Sequence, residues 1–251
     1  MTNKDYKKIH EDIVQWIRDW FDKNGKGCNA IIGMSGGKDS TIVAALCAEA
    51  LGKDKVIGIG MPDGRQGLNE ADEICKYLGI RFITIPIGGI TESFKGVWYD
   101  MGDEDFKWSE RAEQNIPARV RMTVLYAYAQ TMNGRVLNTC NLSEDYIGYA
   151  TLFGDAAGDL APIEHITVTD IRALGDEMGL PKKWIYKTPD DGLPHSQPDE
   201  EKLGFTYTDI DNVICGDTHL VDPDKCEKIQ KMHKANQFKM DILHIPGPEL
   251  A

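Results

Sequence analysis

Residues 30–45 read AIIGMSGGKDSTIVAA. A short apolar run, Ala30, Ile31 and Ile32, leads into Gly33-Met34-Ser35-Gly36-Gly37-Lys38-Asp39-Ser40. Apolar Ile42, Val43, Ala45 and Leu46 follow at helical spacing. This order predicts a buried strand, a tight glycine turn and a helix N-terminus. Such a turn points several backbone N–H groups at one spot, where the helix dipole favours an anion. Gly36 and Gly37 let the anion approach the backbone, and the Ser35 and Ser40 hydroxyls add donors. Asp39 is the odd member: a carboxylate beside a phosphate makes sense if it holds a divalent cation.

The common phosphate motifs do not fit this stretch. A P-loop needs Gly, four residues, then Gly-Lys-Ser/Thr. Here Ile32 stands where the first Gly belongs, and Asp39 follows the lysine. The dinucleotide fingerprint GxGxxG is absent too. SGGKDS instead resembles the SGGxDS pyrophosphate loop of the ATP pyrophosphatases, which cleave ATP to AMP and pyrophosphate.

Outward from this stretch, residues 6–22 carry Ile9, Ile13, Trp16, Ile17, Trp20 and Phe21 on one helical face. Residues 55–60 (KVIGIG) read as a second buried strand, 67–78 as a helix and 81–85 as a third strand. Strands alternating with helices predict a doubly wound parallel sheet with helices on both faces, an α/β fold. In such sheets ligands bind beyond the carboxyl ends of the strands, where the glycine turn lies. Residues 88–110 show no clear periodicity and read as a surface excursion. Pro117 is expected to start a helix over 118–132, and 135–139 to form a fourth strand. Helices are expected over 169–178, 208–214 and 222–235. Residues 187–203, KTPDDGLPHSQPDEEKL, read as a loop and a candidate lid.

The chain has 251 residues, 41% of them hydrophobic, and is read as one domain, 1–251. A net charge of −12 argues against nucleic acid and anionic membranes as partners, both of which draw on clustered Lys and Arg. No stretch approaches a signal peptide or membrane span, so a cytoplasmic protein is expected. The six cysteines form no CxxC pair, which disfavours a zinc site or disulfide framework. Any metal is expected to be Mg2+, on carboxylates and phosphate.

Three more stretches carry candidate chemistry. QNIPARVRM (114–122) places Arg119 and Arg121 two apart, so one of them is expected to reach a ligand with its planar fork. Residues 139–159 hold Glu144, Asp145, Asp155 and Asp159 among glycines and aromatics, and acids at a strand's carboxyl end could pair with Asp39 around Mg2+. Residues 236–239 are a weaker candidate, a tail that touches ligand.

Together, SGGKDS, NIPARVRM, NTCNLSEDYIGY, FGDAAGDLAPI, PDDGL…PDEEKLGFTYTDID and MHKANQFK resemble ammonia-dependent NAD synthetase, in that family's order and over nearly the whole chain. The resemblance implies a flavodoxin-like sheet of the ATP pyrophosphatase type and a homodimer whose interface helps to bind the dinucleotide. It implies a ligase that converts nicotinic acid adenine dinucleotide (deamido-NAD), ATP and ammonia to NAD, AMP and pyrophosphate. By the same resemblance Gly33, Met34, Ser35, Gly36, Gly37, Lys38, Asp39 and Ser40 would bind ATP, with Gln66 and Thr139. Asp39 and Glu144 would hold Mg2+. Arg119, Asp159 and Lys239, the last from the partner subunit, would contact deamido-NAD, and Asp155 would lie near the carboxylate being amidated. The family often has Lys at the places of Leu152 and Val168, Thr at Asp190 and His at Phe238. Lys38 or Lys187 is the candidate to supply the charge missing at Val168, which makes Lys38 a catalytic candidate beside Asp155. Other ATP pyrophosphatases (tRNA-thiolating or GMP-synthetase-like) and a non-catalytic adenine-nucleotide module are the competing expectations.

Overall fold

Strand β1 (Asn29–Gly33) turns Ala30 and Ile32 to one side of the sheet and Ile31 to the other, and all three are fully buried. Burial on both faces is the mark of a parallel strand covered by helices. Withdrawing one isoleucine from water contributes about 2–3 kcal/mol. The computed structural model describes residues 4–64, 67–99, 102, 106–187 and 199–239. In chain order its elements are α1 (Tyr6–Asn24), β1, α2 (Lys38–Leu51), β2 (Val56–Gly60), α3 (Asn69–Leu78), β3 (Arg81–Thr84), α4 (Gly88–Tyr99) and α5 (Glu110–Thr131). They continue with β4 (Gly134–Leu137), α6 (Leu142–Ile147), α7 (Val168–Glu177), α8 (Lys182–Ile185), α9 (Asp199–Leu203), α10 (Tyr207–Ile214) and α11 (Pro223–Asn236).

The four strands are parallel, in the order β3-β2-β1-β4. The chain winds outward from β1 to β3, then returns through α4 and α5 to place β4 on β1's free side. The carboxyl ends of β1 and β4 therefore flank the point where winding reverses, the usual ligand crevice of such sheets.

Helices cover both faces, as expected. Ala30, Ile32 and Val56 pack with α1, α2, α3, α7 and α8. Ile31, Ile57, Ile59 and Val136 pack under α5 through Val120, Val124 and Leu125. Gly58 is required by proximity on the first face: a Cβ there would lie 2.7 Å from Met34 Cγ and 2.8 Å from Cys75 Sγ. A third cluster, Ile147, Val168, Phe205, Tyr207 and Ile210, joins α6, α7 and α10 beside the sheet.

Two expectations need correction. Residues 88–110 are not wholly irregular, because Gly88–Tyr99 is helical. Ile90, Phe94, Val97 and Trp98 recur at helical spacing, and Phe94 and Trp98 stack with Trp108 at centroid distances of 6.3 and 5.1 Å. Three glycines disguised that period. Helix α5 starts at Glu110, not after Pro117. Ser109 caps it by accepting from the Ala112 N–H at 3.2 Å, and Pro117 lies inside the helix. Arg119 and Arg121 are thus mid-helix residues. The candidate lid falls largely on 188–198, outside the described residues. No helix among the described residues is long and apolar enough to cross a membrane.

Candidate active site

Helix α2 begins on Gly37, which has no side chain to cap it. Gly36 takes φ +84°, a left-handed conformation that favours glycine, and swings the chain from β1 into the helix. Inside the turn the Gly37 N–H donates to Ser35 Oγ (3.2 Å), and Thr41 Oγ1 donates to the Gly37 carbonyl (2.7 Å). Among the described residues nothing accepts from the N–H groups of Lys38, Asp39 and Ser40. These orphan donors and the positive end of the helix form an anion cradle.

Lys38 is 3% exposed and donates to Asp39 Oδ2 at 2.9 Å. Its Nζ also lies 5.5 Å over the ring of Tyr207. Burial presses this ammonium toward neutrality, but Asp39 and Glu144 outweigh it and its pKa is raised. Burial and then the neighbouring Asp39 push the Glu144 carboxyl well up from the ordinary range.

Glu144 reaches this place because Asn141 caps α6, accepting from the Glu144 N–H at 3.1 Å. The other end of the same side chain, Nδ2, donates to Asp39 Oδ1 at 3.2 Å. Asn141 is the functional residue missed from sequence. Its signal was present: an Asn directly before a short acidic helical turn is an N-cap pattern.

The turn opens into a cavity of about 1320 Å³. That exceeds the roughly 300–1,000 Å³ of single-ligand pockets, so two nucleotides fit. Gly33, Met34, Ser35, Gly37, Lys38, Asp39 and Ser40 line it, with Thr139 and Glu144 beside them. Gly36 shapes the turn without lining the cavity. Gln66 and Asp190 lie outside the described residues.

Arg119, Asp155 and Lys239 also line the cavity, and the Asp155 carbonyl accepts from Asn138 Nδ2 at 3.2 Å, next to Thr139. Arg119 Nε donates to the Leu152 carbonyl at 3.3 Å. Asp155 Oδ1 accepts from the Thr151 N–H at 3.0 Å, which fixes the exposed loop around it. Arg121 also lines the cavity, so both arginines reach it. Its Nε donates to the Met61 carbonyl at 3.1 Å, and burial pulls its pKa below the arginine value against the opposing Asp63 and Asp155. Side chains two apart diverge on a helix, but here the cavity wraps α5.

Lys239 lines the cavity of its own chain and donates to the carbonyls of Gly148 (2.8 Å) and Ala150 (3.1 Å). Asp159 does not line the cavity: its carboxylate accepts from the Val136 N–H of β4 at 2.7 Å and stands exposed. Val168 is fully buried in the cluster that holds Tyr207, the ring under Lys38. A cation therefore stands beside that cluster, supplied from α2. Lys187, the other candidate, pairs with Glu70.

The donor set suits Mg2+, which takes one or two carboxylates and completes its shell with phosphate oxygens and water. Asp39 and Glu144 supply two such groups, and among the described residues no cluster of three or more metal-ligating side chains exists. The cradle, the carboxylate pair and the long cavity together suit splitting of a nucleoside triphosphate next to a second anionic substrate.

Known proteins resemble this chain in sequence and fold. The profile of the NAD synthase family matches residues 9–242. The NH(3)-dependent NAD(+) synthetase of Methanocaldococcus jannaschii is 37% identical over 210 residues, 81% of this chain and 80% of that protein. A solved NMN synthetase from Francisella tularensis superposes with TM-score 0.87 at 29% identity, covering 99% of this chain and 100% of its own. The NH3-dependent NAD synthetase of Campylobacter jejuni superposes with TM-score 0.78 at 28% identity, with the same coverage. The choice among ATP pyrophosphatases that SGGKDS leaves open is thereby closed, and the chain belongs to the NAD synthase family.

Proposed function

We propose that this enzyme amidates deamido-NAD with ammonia at the expense of ATP, giving NAD, AMP and pyrophosphate. The observation that carries the reading is the uncapped N-terminus of α2, joined to the Lys38–Asp39 pair and opening into a cavity that fits two nucleotides. A carboxylate is a poor acyl donor because its leaving group would be oxide. In the first step a nicotinate oxygen attacks the α-phosphorus of ATP, the bond to the β-phosphate bridge breaks, and pyrophosphate leaves. In the second, ammonia attacks the acyl carbon of the adenylate, the bond to AMP breaks, and a proton is lost.

The orphan N–H groups of α2 receive the departing pyrophosphate as its charge develops. Lys38 supplies a positive charge there. Asp39 and Glu144 would hold Mg2+, which when bound would neutralise phosphate oxygens. Arg119, Arg121 and Lys239 position the acceptor nucleotide. Asp155 orients ammonium at the acyl carbon and takes its proton. Most of the acceleration comes from positioning, worth up to about 7–11 kcal/mol when reacting groups are held in register.

A second reading concerns the acceptor. The closer superposition on an NMN synthetase favours nicotinate mononucleotide as an alternative substrate of the same chemistry. A coupled assay with ATP and ammonium, offering the dinucleotide and the mononucleotide in parallel, tests both. Amidation of the dinucleotide with the higher kcat/KM upholds the first reading; a preference for the mononucleotide upholds the second. Pyrophosphate release with neither acceptor would reject both.

The homodimer belongs to this reading too. Among the described residues seven form the buried core on the α5 side, against 26 on the other face, and Val120, Val124, Tyr126 and Tyr128 stay partly exposed. A second copy of the chain would cover them, and Asp159 with them. Sedimentation of the purified protein tests this, a monomer at micromolar concentration being the adverse result. Four buried free thiols, Cys28, Cys47, Cys75 and Cys140, support a reducing compartment such as the cytoplasm.

A further inference from the structure

Lys38 is an expensive residue where it stands. It is the first residue of α2, where the helix dipole disfavours a cation, and it is 3% exposed. Two features offset that cost: Asp39 Oδ2 at 2.9 Å and the face of Tyr207 at 5.5 Å. The pairing has a consequence for Asp39. One of its oxygens is taken by Lys38 and the other by Asn141 Nδ2 at 3.2 Å. Each oxygen of its carboxylate therefore already accepts from one of this chain's own donors. A divalent ion approaching Asp39 meets an ammonium already in place.

We propose that Lys38 is an internal counter-cation that holds Asp39 until nucleotide arrives, so that metal binding and triphosphate binding are obligately coupled. The inference rests on the assignment of Asp39 and Glu144 as metal ligands made above. Phosphate oxygens at the mouth of α2 offer the ammonium a new partner close to its present one. Once Lys38 turns to them, Asp39 is free to coordinate. The half-buried carboxylates thus stay charge-compensated in both states, and an ion without nucleotide has to compete with the ammonium. The Tyr207 ring provides an apolar wall over which the aliphatic stem can swing.

The test is direct titration of the full-length protein with Mn2+, read by electron paramagnetic resonance without nucleotide. Wild type is expected to bind weakly, and Lys38→Gln at least tenfold more tightly. Lys38→Arg, which keeps the charge, is expected to stay like wild type, and Lys38→Gln/Asp39→Asn to lose the gained affinity. Equal affinity of wild type and Lys38→Gln would overturn the proposal. Should Lys38→Gln fail to fold, Lys38→Met replaces it. Should that fail as well, wild type alone decides. Its Mn2+ affinity must rise at least tenfold with α,β-methylene-ATP present, and an unchanged affinity rejects the coupling. Absence of Mn2+ binding in every protein, with or without the analogue, would remove the metal assignment and the proposal together. Tight binding by wild type without nucleotide would remove the proposal alone. None of these readouts depends on which acceptor is amidated.

Discussion

Two parts of the cavity lining are built from different materials. At the glycine turn Lys38 and Ser40 are 3% and 2% exposed, and the donors are backbone N–H groups fixed by β1 and α2. In the other part Arg119 and Asp155 are exposed side chains, one on α5 and one on a loop. A backbone cradle cannot be changed without changing the fold, whereas long side chains and a loop can be altered singly. On the proposed function, the phosphate chemistry belongs to the scaffold and the choice of acceptor to the surface.

The sharpest way to break the comparison is Asp39→Asn. In the buried part it should lower pyrophosphate release about 10³-fold, roughly 4 kcal/mol of barrier, with either acceptor. A loss below tenfold would show that the buried part does not carry the first step.

Asp155→Asn should separate the two parts. Amide formation is expected to fall about 10²-fold, in the range for one general base. Pyrophosphate release, measured before ammonium is added, should stay near wild type. Parallel loss of both would merge the two parts into one.

The buried part also rests on α7, whose Asp170 is tied to Lys4 (2.5 Å), Tyr6 (2.9 Å) and Thr167 (2.8 Å). Burial alone would raise the Asp170 pKa, but these three donors outweigh it and hold it below the ordinary value. A depressed carboxylate pKa contributes stability above the unfolded pKa and loses it as pH falls through the folded one. Asp170→Asn should therefore cost about 2 kcal/mol at neutral pH. The difference should shrink as pH falls below about 4, which thermal melts across pH would record. A pH-independent difference would assign the effect to packing.

The smallest effect is expected in the exposed part. Arg119→Ala should raise KM for the acceptor about tenfold with kcat and the KM for ATP nearly unchanged, the signature of lost uniform binding. A matching fall in kcat would place Arg119 in the chemistry itself.

The strand, glycine turn and helix around Ser35–Ser40 were readable because their signals are local. Apolar period, glycine and hydroxyl placement lie within sixteen residues. The alternating strands up to β3 were legible for the same reason. Helix α4 was not, because Gly88, Gly89 and Gly96 weaken its propensity and its aromatic side chains find their partners at Phe106 and Trp108. The start of α5 was misplaced because Pro117 reads as a first-turn residue, while the cap that matters is Ser109.

The sequence by itself determined the parallel sheet, the anion-binding turn and, through the order of its motifs, the family. Those follow from period and turn chemistry, which act between residues a few positions apart. Only the tertiary structure decided that Asn141 bridges Asp39 to α6, that both Arg119 and Arg121 reach the cavity, and that Asp159 accepts from the Val136 N–H of β4. It also decided that the ammonium of Lys38 lies over Tyr207, more than 160 residues away in the chain. Such meetings depend on how helices pack across a sheet, and no local pattern encodes the distance between two side chains brought together that way.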